Sequence, residues 1–288
     1  GIERATKTLM PLLFVLLIIL IGYIFTRDGA TDGLLMYVKP DFSTINPDLI
    51  FSAMGQAFFS LSLGMGTLIT YGSYLNKRQN LVESAAYVTL TDIMIAIVAG
   101  LLVVPAMFVA QYGGTEIFDP ATGALYSSVT LVFDVLPELF HQIGAAAGMV
   151  IGIIFFILLG LAALTSSISL LEVPVAFVID ELNIRRKKAA WIVGLLVCCI
   201  SIVISFDTSL IDLFVIIFNE VGLPLGGLMI CLFLGYVWKS ESAIDEIEQG
   251  FPNVRNHWFT PVWIFFMKYV CPVLIALILV TILLNIFS

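Results

Sequence analysis

The sequence predicts an all-α polytopic membrane protein of about seven transmembrane helices, one of them broken, and three observations carry that prediction. Hydrophobic residues make up 60% of the 288 and charged residues only 12%, where soluble domains hold roughly 25% charged. Apolar stretches of about 20 residues, the length a bilayer demands, recur along the whole chain. The stretch between Asp48 and Tyr74 carries in its middle Phe58-Phe59-Ser60-Leu61-Ser62-Leu63-Gly64-Met65-Gly66, with hydroxyls and glycines where a plain span keeps aliphatic side chains.

In chain order the spans run from about 8 to 26, 48 to 75, 82 to 110, 144 to 182, 189 to 206, 208 to 238 and 256 to 286. The first is a continuous apolar run behind Arg4 and Lys7. The second is the broken one. Gly64 and Gly66 each cost roughly 1 kcal/mol relative to alanine inside a helix, and a break at mid-membrane depth is tolerated only where the freed backbone is buried in protein or lines a polar cavity. Carbonyls released from its first half can coordinate a cation, and the amides opening its second half can hold a carboxylate. The third span carries Asp92 roughly 15 Å from its start at Val82, close to the midplane. On the fourth, Thr165, Ser166 and Ser167 lie about 20 Å before Asp180 by the same rise. The fourth and last spans exceed bilayer thickness and are expected to tilt, bend or protrude. Three helices thus offer oxygen ligands at one depth. Hard cations such as sodium take oxygen ligands, and an intramembrane carboxylate is by default a functional candidate.

Basic residues orient the bundle. Arg4, Lys7, Lys77, Arg78, Arg185, Arg186, Lys187, Lys188, Lys239 and Arg255 fall on one side, and Arg27 and Lys39 on the other. The richer side is predicted to be cytoplasmic. Loops 27 to 47 and 111 to 143 are then external, and the amphipathic piece Thr130 to Gln142 is expected to form short helices over the entrance. Loop 239 to 255, rich in Glu and Asp, is the water-loving internal connector.

Other chemistries find no support. Cys198, Cys199, Cys231 and Cys271 all fall inside predicted spans, so neither a disulfide nor a metal cluster is implied. His141 and His257 lie far apart in topology. No phosphate loop, nucleophile elbow or basic aromatic patch occurs, which sets aside enzymes and nucleic-acid binders. Plainer roles exist for the polar residues: serines and threonines in spans often bond the carbonyl one turn back or permit close helix packing. Phe58 is expected to face packing, and Glu172 to make a helix-to-helix hydrogen bond. The chain opens Gly1-Ile2-Glu3-Arg4 and looks like a piece of something longer.

The segments Gly55 to Gly66, Leu164-Thr165-Ser166-Ser167-Ile168, Asp180-Glu181-Leu182 and Pro224-Leu225-Gly226-Gly227-Leu228, in this order, resemble the neurotransmitter:sodium symporter family, and within it the bacterial sodium-dependent amino-acid transporters. The resemblance covers all 288 residues. It implies a leucine-transporter-like inverted-repeat bundle in part: one transmembrane domain, 1 to 288, holding helix five, the second repeat and helix eleven, without the first four helices. Gly1 and Pro11 match a motif that unwinds the start of helix five.

The same resemblance implies sodium-coupled symport of an amino acid across the plasma membrane by alternating access, with the bilayer as surroundings and no nucleic-acid partner. Phe59, Ser60, Ser62 and Met65 match the substrate-binding segment, Phe59 as its lid, and Ser166 and Leu170 match pocket positions on helix eight. Two sodium sites are implied: Ser60 and Asp92 at the first, the Ala162 carbonyl with Thr165 and Ser166 at the second. Ser73, Tyr74 and Asp180 match the inner gate. Two departures stand out. The acidic outer-gate residue of helix ten is replaced by Phe214 or Val215, with Asp212 the nearest carboxylate. Met65 stands where the leucine-type member has phenylalanine, and flexible methionine favours larger hydrophobic or aromatic substrates. Rival readings are an ion channel, which would pass ions without stoichiometric solute, and a membrane scaffold that transports nothing.

Gln56, Ser60, Asp92 and Ala96 fall where chloride-dependent members bind chloride. Ala96 offers no hydroxyl and Asp92 brings its own negative charge, so chloride is not required. Uptake by the intact protein is expected to keep its rate when gluconate replaces chloride, and a large loss would reject this reading.

Overall fold

The structure is a computed structural model that describes residues 2–114, 131–206 and 209–287, and among these every regular element is helical. In chain order they are α1 (Ile2–Ile24), α2 (Ala30–Val38), α3 (Pro47–Ser60), α4 (Thr67–Ser73), α5 (Leu81–Tyr112), α6 (Leu136–Ile143), α7 (Ala145–Leu182), α8 (Arg186–Phe206), α9 (Ser209–Phe214), α10 (Gly222–Leu232), α11 (Ser240–Gly250), α12 (Phe259–Phe265) and α13 (Cys271–Phe287). Among the described residues, five helical stretches are long and apolar enough to cross a membrane: Leu81–Tyr112, Gly148–Leu182, Arg186–Phe206, Val215–Val237 and Phe259–Leu284. Met10–Ile24 and Leu49–Ser60 are shorter apolar helices. Together they fall on the seven predicted spans.

Two compact units share the chain: residues 1–43 with 93–167, and residues 44–92 with 168–288. The first is cored by Leu20 and Ile24 of α1, Leu102 and Ala106 of α5, and Leu136, Leu139 and Phe140 of α6. The external loop expected over 27 to 47 contains α2, which the sequence pattern did not reveal. Tertiary contact makes it. Gly33 lies so close to α5 that a Cβ there would sit 2.6 Å from the Pro105 Cα. The Tyr37 hydroxyl donates to the Ile97 carbonyl at 3.3 Å, and the Tyr112 hydroxyl donates to Asp32 at 3.2 Å. α1 is helical from Ile2 through Pro11, so the unwound start expected from Gly1 and Pro11 is not seen over its described residues. The described part of 130 to 142 is a π turn, Leu131–Val135, running into α6.

In the second unit, Phe58 packs with Cys231 and Ile275, Val175 with Ala189 and Val193, and Ile244 with Ile247 and Val254. The acidic connector is a helix, α11. Its Ile244 and Ile247 face inward, while Arg255 pairs on its outer face with Asp245, with Glu241 at 3.1 Å and with Glu248 at 3.1 Å. The hydrogen bond Arg255 donates to Asp245, then that to Glu241, holds its pKa above the usual value, although exposed pairs of this kind add little stability. The expected span 208 to 238 is divided by π turns at Val215–Val221 and Phe233–Val237, and the last span by one at Phe266–Val270. Such turns free carbonyls for side chains; the Tyr236 hydroxyl donates to the Lys268 carbonyl at 2.8 Å.

Gly33→Ala is expected to cost about 1–3 kcal/mol by forcing α2 off α5. Gly22→Ala, where a Cβ meets nothing within 4 Å, is expected to be neutral or mildly stabilising. Thermal unfolding of the two variants checks this, and equal melting points would contradict it.

Candidate functional site

α3 starts cleanly. The Asn46 side chain caps it by accepting from the Leu49 amide at 2.7 Å, and Pro47 occupies its first turn. It stops at Ser60, where the amides of Leu61, Ser62 and Leu63 turn back onto the carbonyls of Ala57, Phe59 and Phe58 at 3.1, 3.0 and 2.9 Å. Three of the next six residues have left-handed backbone: Ser62 at φ +54°, Gly64 at +80° and Gly66 at +78°. Glycine takes this conformation at no steric cost; for serine it is uncommon. Helix resumes at Thr67, with Thr70 donating to the Gly66 carbonyl at 2.9 Å. The amides of Gly64, Met65 and Gly66 donate no backbone bond among the described residues. The Thr67 hydroxyl beside them is buried without a partner among the described residues.

Next to the break stands the carboxylate of α5. The Ser60 hydroxyl donates to both Asp92 oxygens, at 2.7 and 2.9 Å. A hydroxyl and a carboxylate at hydrogen-bond distance form a hard oxygen pair of the kind hard cations take. Phe59, 51% exposed, borders a cavity of about 580 Å³ whose lining includes Phe51, Gln56, Asn219, Glu220 and Thr281. Glu220 was not singled out from the sequence. An intramembrane carboxylate in Phe218-Asn219-Glu220 was the available signal, and it borders this cavity while Phe214 and Val215 offer no charge.

Ala162, Thr165 and Ser166 belong to the other unit. There the Thr165 hydroxyl donates to the Ala162 carbonyl at 2.7 Å and the Ser167 hydroxyl to the Ala163 carbonyl at 2.9 Å. Ser166 is exposed, and further along α7 Leu170 is 47% exposed.

At the far end of α4, the Ser73 hydroxyl donates to the Thr70 carbonyl at 2.7 Å. Tyr74 donates to Glu172 of α7 at 2.8 Å, and Arg186, opening α8, pairs with the other oxygen of the same carboxylate at 2.8 Å. The Glu172 side chain is only 14% exposed. Glu172 therefore ties the second half of the broken span to α8 through two partners, whereas the sequence alone presents Arg186 only as a charge that orients the chain. Asp180 follows about two turns later on α7 and is exposed.

A polytopic helical protein whose broken span meets an intramembrane carboxylate belongs to the broken-helix class of membrane proteins. Comparison with known proteins narrows this. Residues 1–287 match the Sodium:neurotransmitter symporter family. The chain is 34% identical over 289 residues to an uncharacterized sodium-dependent transporter, YhdH, of Bacillus subtilis, covering 96% of this chain and 61% of that relative. It is 35% identical over 293 residues to an uncharacterized sodium-dependent transporter of Haemophilus influenzae, covering 98% of this chain and 60% of that relative. Among solved structures, MhsT in complex with L-phenylalanine matches with a TM-score of 0.81 at 38% identity, over 98% of this chain and 63% of that one. The chain belongs to the Sodium:neurotransmitter symporter family. It has the leucine-transporter-like fold and is a multi-pass protein of the plasma membrane. It spans about 60% of the length of the curated relatives it matches.

The Tyr74–Glu172 contact is expected to appear as a coupling of about 1 kcal/mol in a double-mutant cycle of Tyr74→Phe and Glu172→Gln. Thermal or denaturant unfolding of the full-length protein measures it, and additive effects would reject the contact.

Proposed function

We propose that this chain is the helix-five-to-eleven part of a sodium-coupled amino-acid symporter whose remaining helices lie outside the 288 residues. The observation that carries the reading is the span broken at Ser62, Gly64 and Gly66 with the Ser60–Asp92 pair at its edge. Peptide dipoles and side-chain oxygens there supply the two things a sodium–zwitterion pair requires: acceptors for a hard cation and donors for a carboxylate. Ser60 and Asp92 hold the first sodium; the Ala162 carbonyl, Thr165 and Ser166 hold the second. The oxygen-only donor sets fit sodium and suit neither zinc nor copper. Asp92 supplies the anion that chloride supplies elsewhere.

Phe59, Ser60, Ser62, Met65 and Leu170 bind the amino acid. A hydrophobic or aromatic substrate is supported by the flexible Met65 and by L-phenylalanine in the similar MhsT structure. Sodium and substrate each raise the other's affinity by the same factor, because one coupling free energy serves both. Phe59 closes outward access. Ser73, Tyr74 and Asp180 close the inner side, with Glu172 holding Tyr74 in place. Each closure excludes water from one face at a time.

Full-length protein in vesicles is expected to accumulate phenylalanine when sodium is high outside and to stop when potassium replaces it. Asp92→Asn is expected to weaken apparent sodium affinity by roughly tenfold or more, about the effect of losing one charged ligand bond. Chain 1–288 alone is expected to transport nothing. Uptake indifferent to sodium, or sodium currents that flow without solute, would reject the symporter in favour of a scaffold or a channel.

A further inference from the structure

Resting on the transport reading, we infer that Gly226 and Gly227 of α10 are positioning residues: they form the seat on which the broken span is held, and they set its affinity for sodium and amino acid. The contact is backbone against backbone. A Cβ at Gly64 would overlap the Leu223 carbonyl oxygen and lie 3.0 Å from the Gly227 nitrogen. From the opposite side, a Cβ at Gly226 would overlap the Gly64 carbonyl oxygen and lie 3.2 Å from the Gly64 Cα. A Cβ at Gly227 would lie 2.5 Å from Cε1 and 3.3 Å from Cζ of Phe58. Two consecutive glycines thus receive two different parts of the span, the carbonyl at its break and the ring just before it.

At Gly64 and Gly226 no flexible side chain stands between the two backbones to give way. There the neighbouring atoms belong to the main chain, whereas at Gly227 they belong to the Phe58 ring and at Gly66 the nearest is the tip of Val173, 3.2 Å from where a Cβ would be. α10 is itself shaped for the contact. Leu223, Pro224 and Gly227 are buried, Pro224 has no amide to return to the preceding turn, and a π turn, Val215–Val221, leads into it. Phe58 carries the seat onward into Cys231 and Ile275.

The ligand-bearing residues Phe59, Ser60, Ser62 and Met65 lie between the two seated points or directly beside them. Pushing the Gly64 carbonyl therefore rotates the peptide units that aim them. A residue that only fills space would lower the yield of folded protein and the maximal rate, leaving half-saturation values alone. A seat changes the half-saturation values.

The test uses the full-length transporter in vesicles with Gly226→Ala, Gly227→Ala, Gly227→Ala combined with Phe58→Leu, and Gly194→Ala, whose Cβ would meet nothing within 4 Å. Gly226→Ala is expected to weaken half-saturation for both sodium and phenylalanine by roughly tenfold. Gly227→Ala is expected to weaken both as well, with Phe58→Leu restoring most of the loss, and Gly194→Ala to match the parent. Half-saturation within about twofold of the parent for Gly226→Ala, or no rescue by Phe58→Leu, would overturn the seat. Should the parent itself show no sodium-driven uptake, the transport reading fails separately. Amide exchange over residues 61–66 then decides the seat: faster exchange in Gly226→Ala sustains it, and unchanged exchange overturns it.

Discussion

Backbone hydrogen bonding in lipid allows few exceptions, and this protein is organised around one of them. Between Ser60 and Thr67 the chain gives up its ladder and takes left-handed conformation at Ser62, Gly64 and Gly66. In hydrocarbon each unpaired amide or carbonyl costs several kcal/mol, so the surroundings have to be built to receive this segment. Asp92 accepts the Ser60 hydroxyl, Val173 covers Gly66, and the glycines of α10 admit the backbone at Gly64. Were the segment an ordinary helix, the glycine at 226 would have no reason to be bare, and Asp92 would be an expensive acid beside apolar neighbours.

From that constraint the chemistry follows. A broken helix concentrates dipoles that water would otherwise screen, and small ions and zwitterions are the solutes whose charges match them. At the end of α4, the second half of the span, Tyr74 is held by Glu172, which Arg186 holds in turn. One seven-residue helix thus has the left-handed break at one end and a charged clamp at the other.

Much of this was legible in the sequence because membranes impose coarse rules. Span length, the asymmetry of lysine and arginine, and glycines set among serines are all visible without coordinates, and they located the break and its acidic neighbour. What escaped was whatever depends on contact. α2 is nine residues of modest pattern, made helical by close approach of Gly33 to Pro105. The π turns in the spans 208 to 238 and 256 to 286 leave no trace in hydrophobic periodicity, since an extra residue in one turn does not alter which residues are apolar. Arg186 was counted among charges that orient the protein, and only the structure shows its carboxylate partner. Glu220 passed unnoticed in an apolar run, although the cavity beside Phe59 reveals its position.

The central claim is that sodium and an amino acid share one interrupted span. Calorimetric titration of full-length protein with phenylalanine across a series of sodium concentrations, and the converse titration with sodium across a series of phenylalanine concentrations, tests it most directly. The account predicts that each ligand tightens the other by the same factor, and that potassium has no such effect. Equal phenylalanine affinity in sodium and in potassium would contradict it.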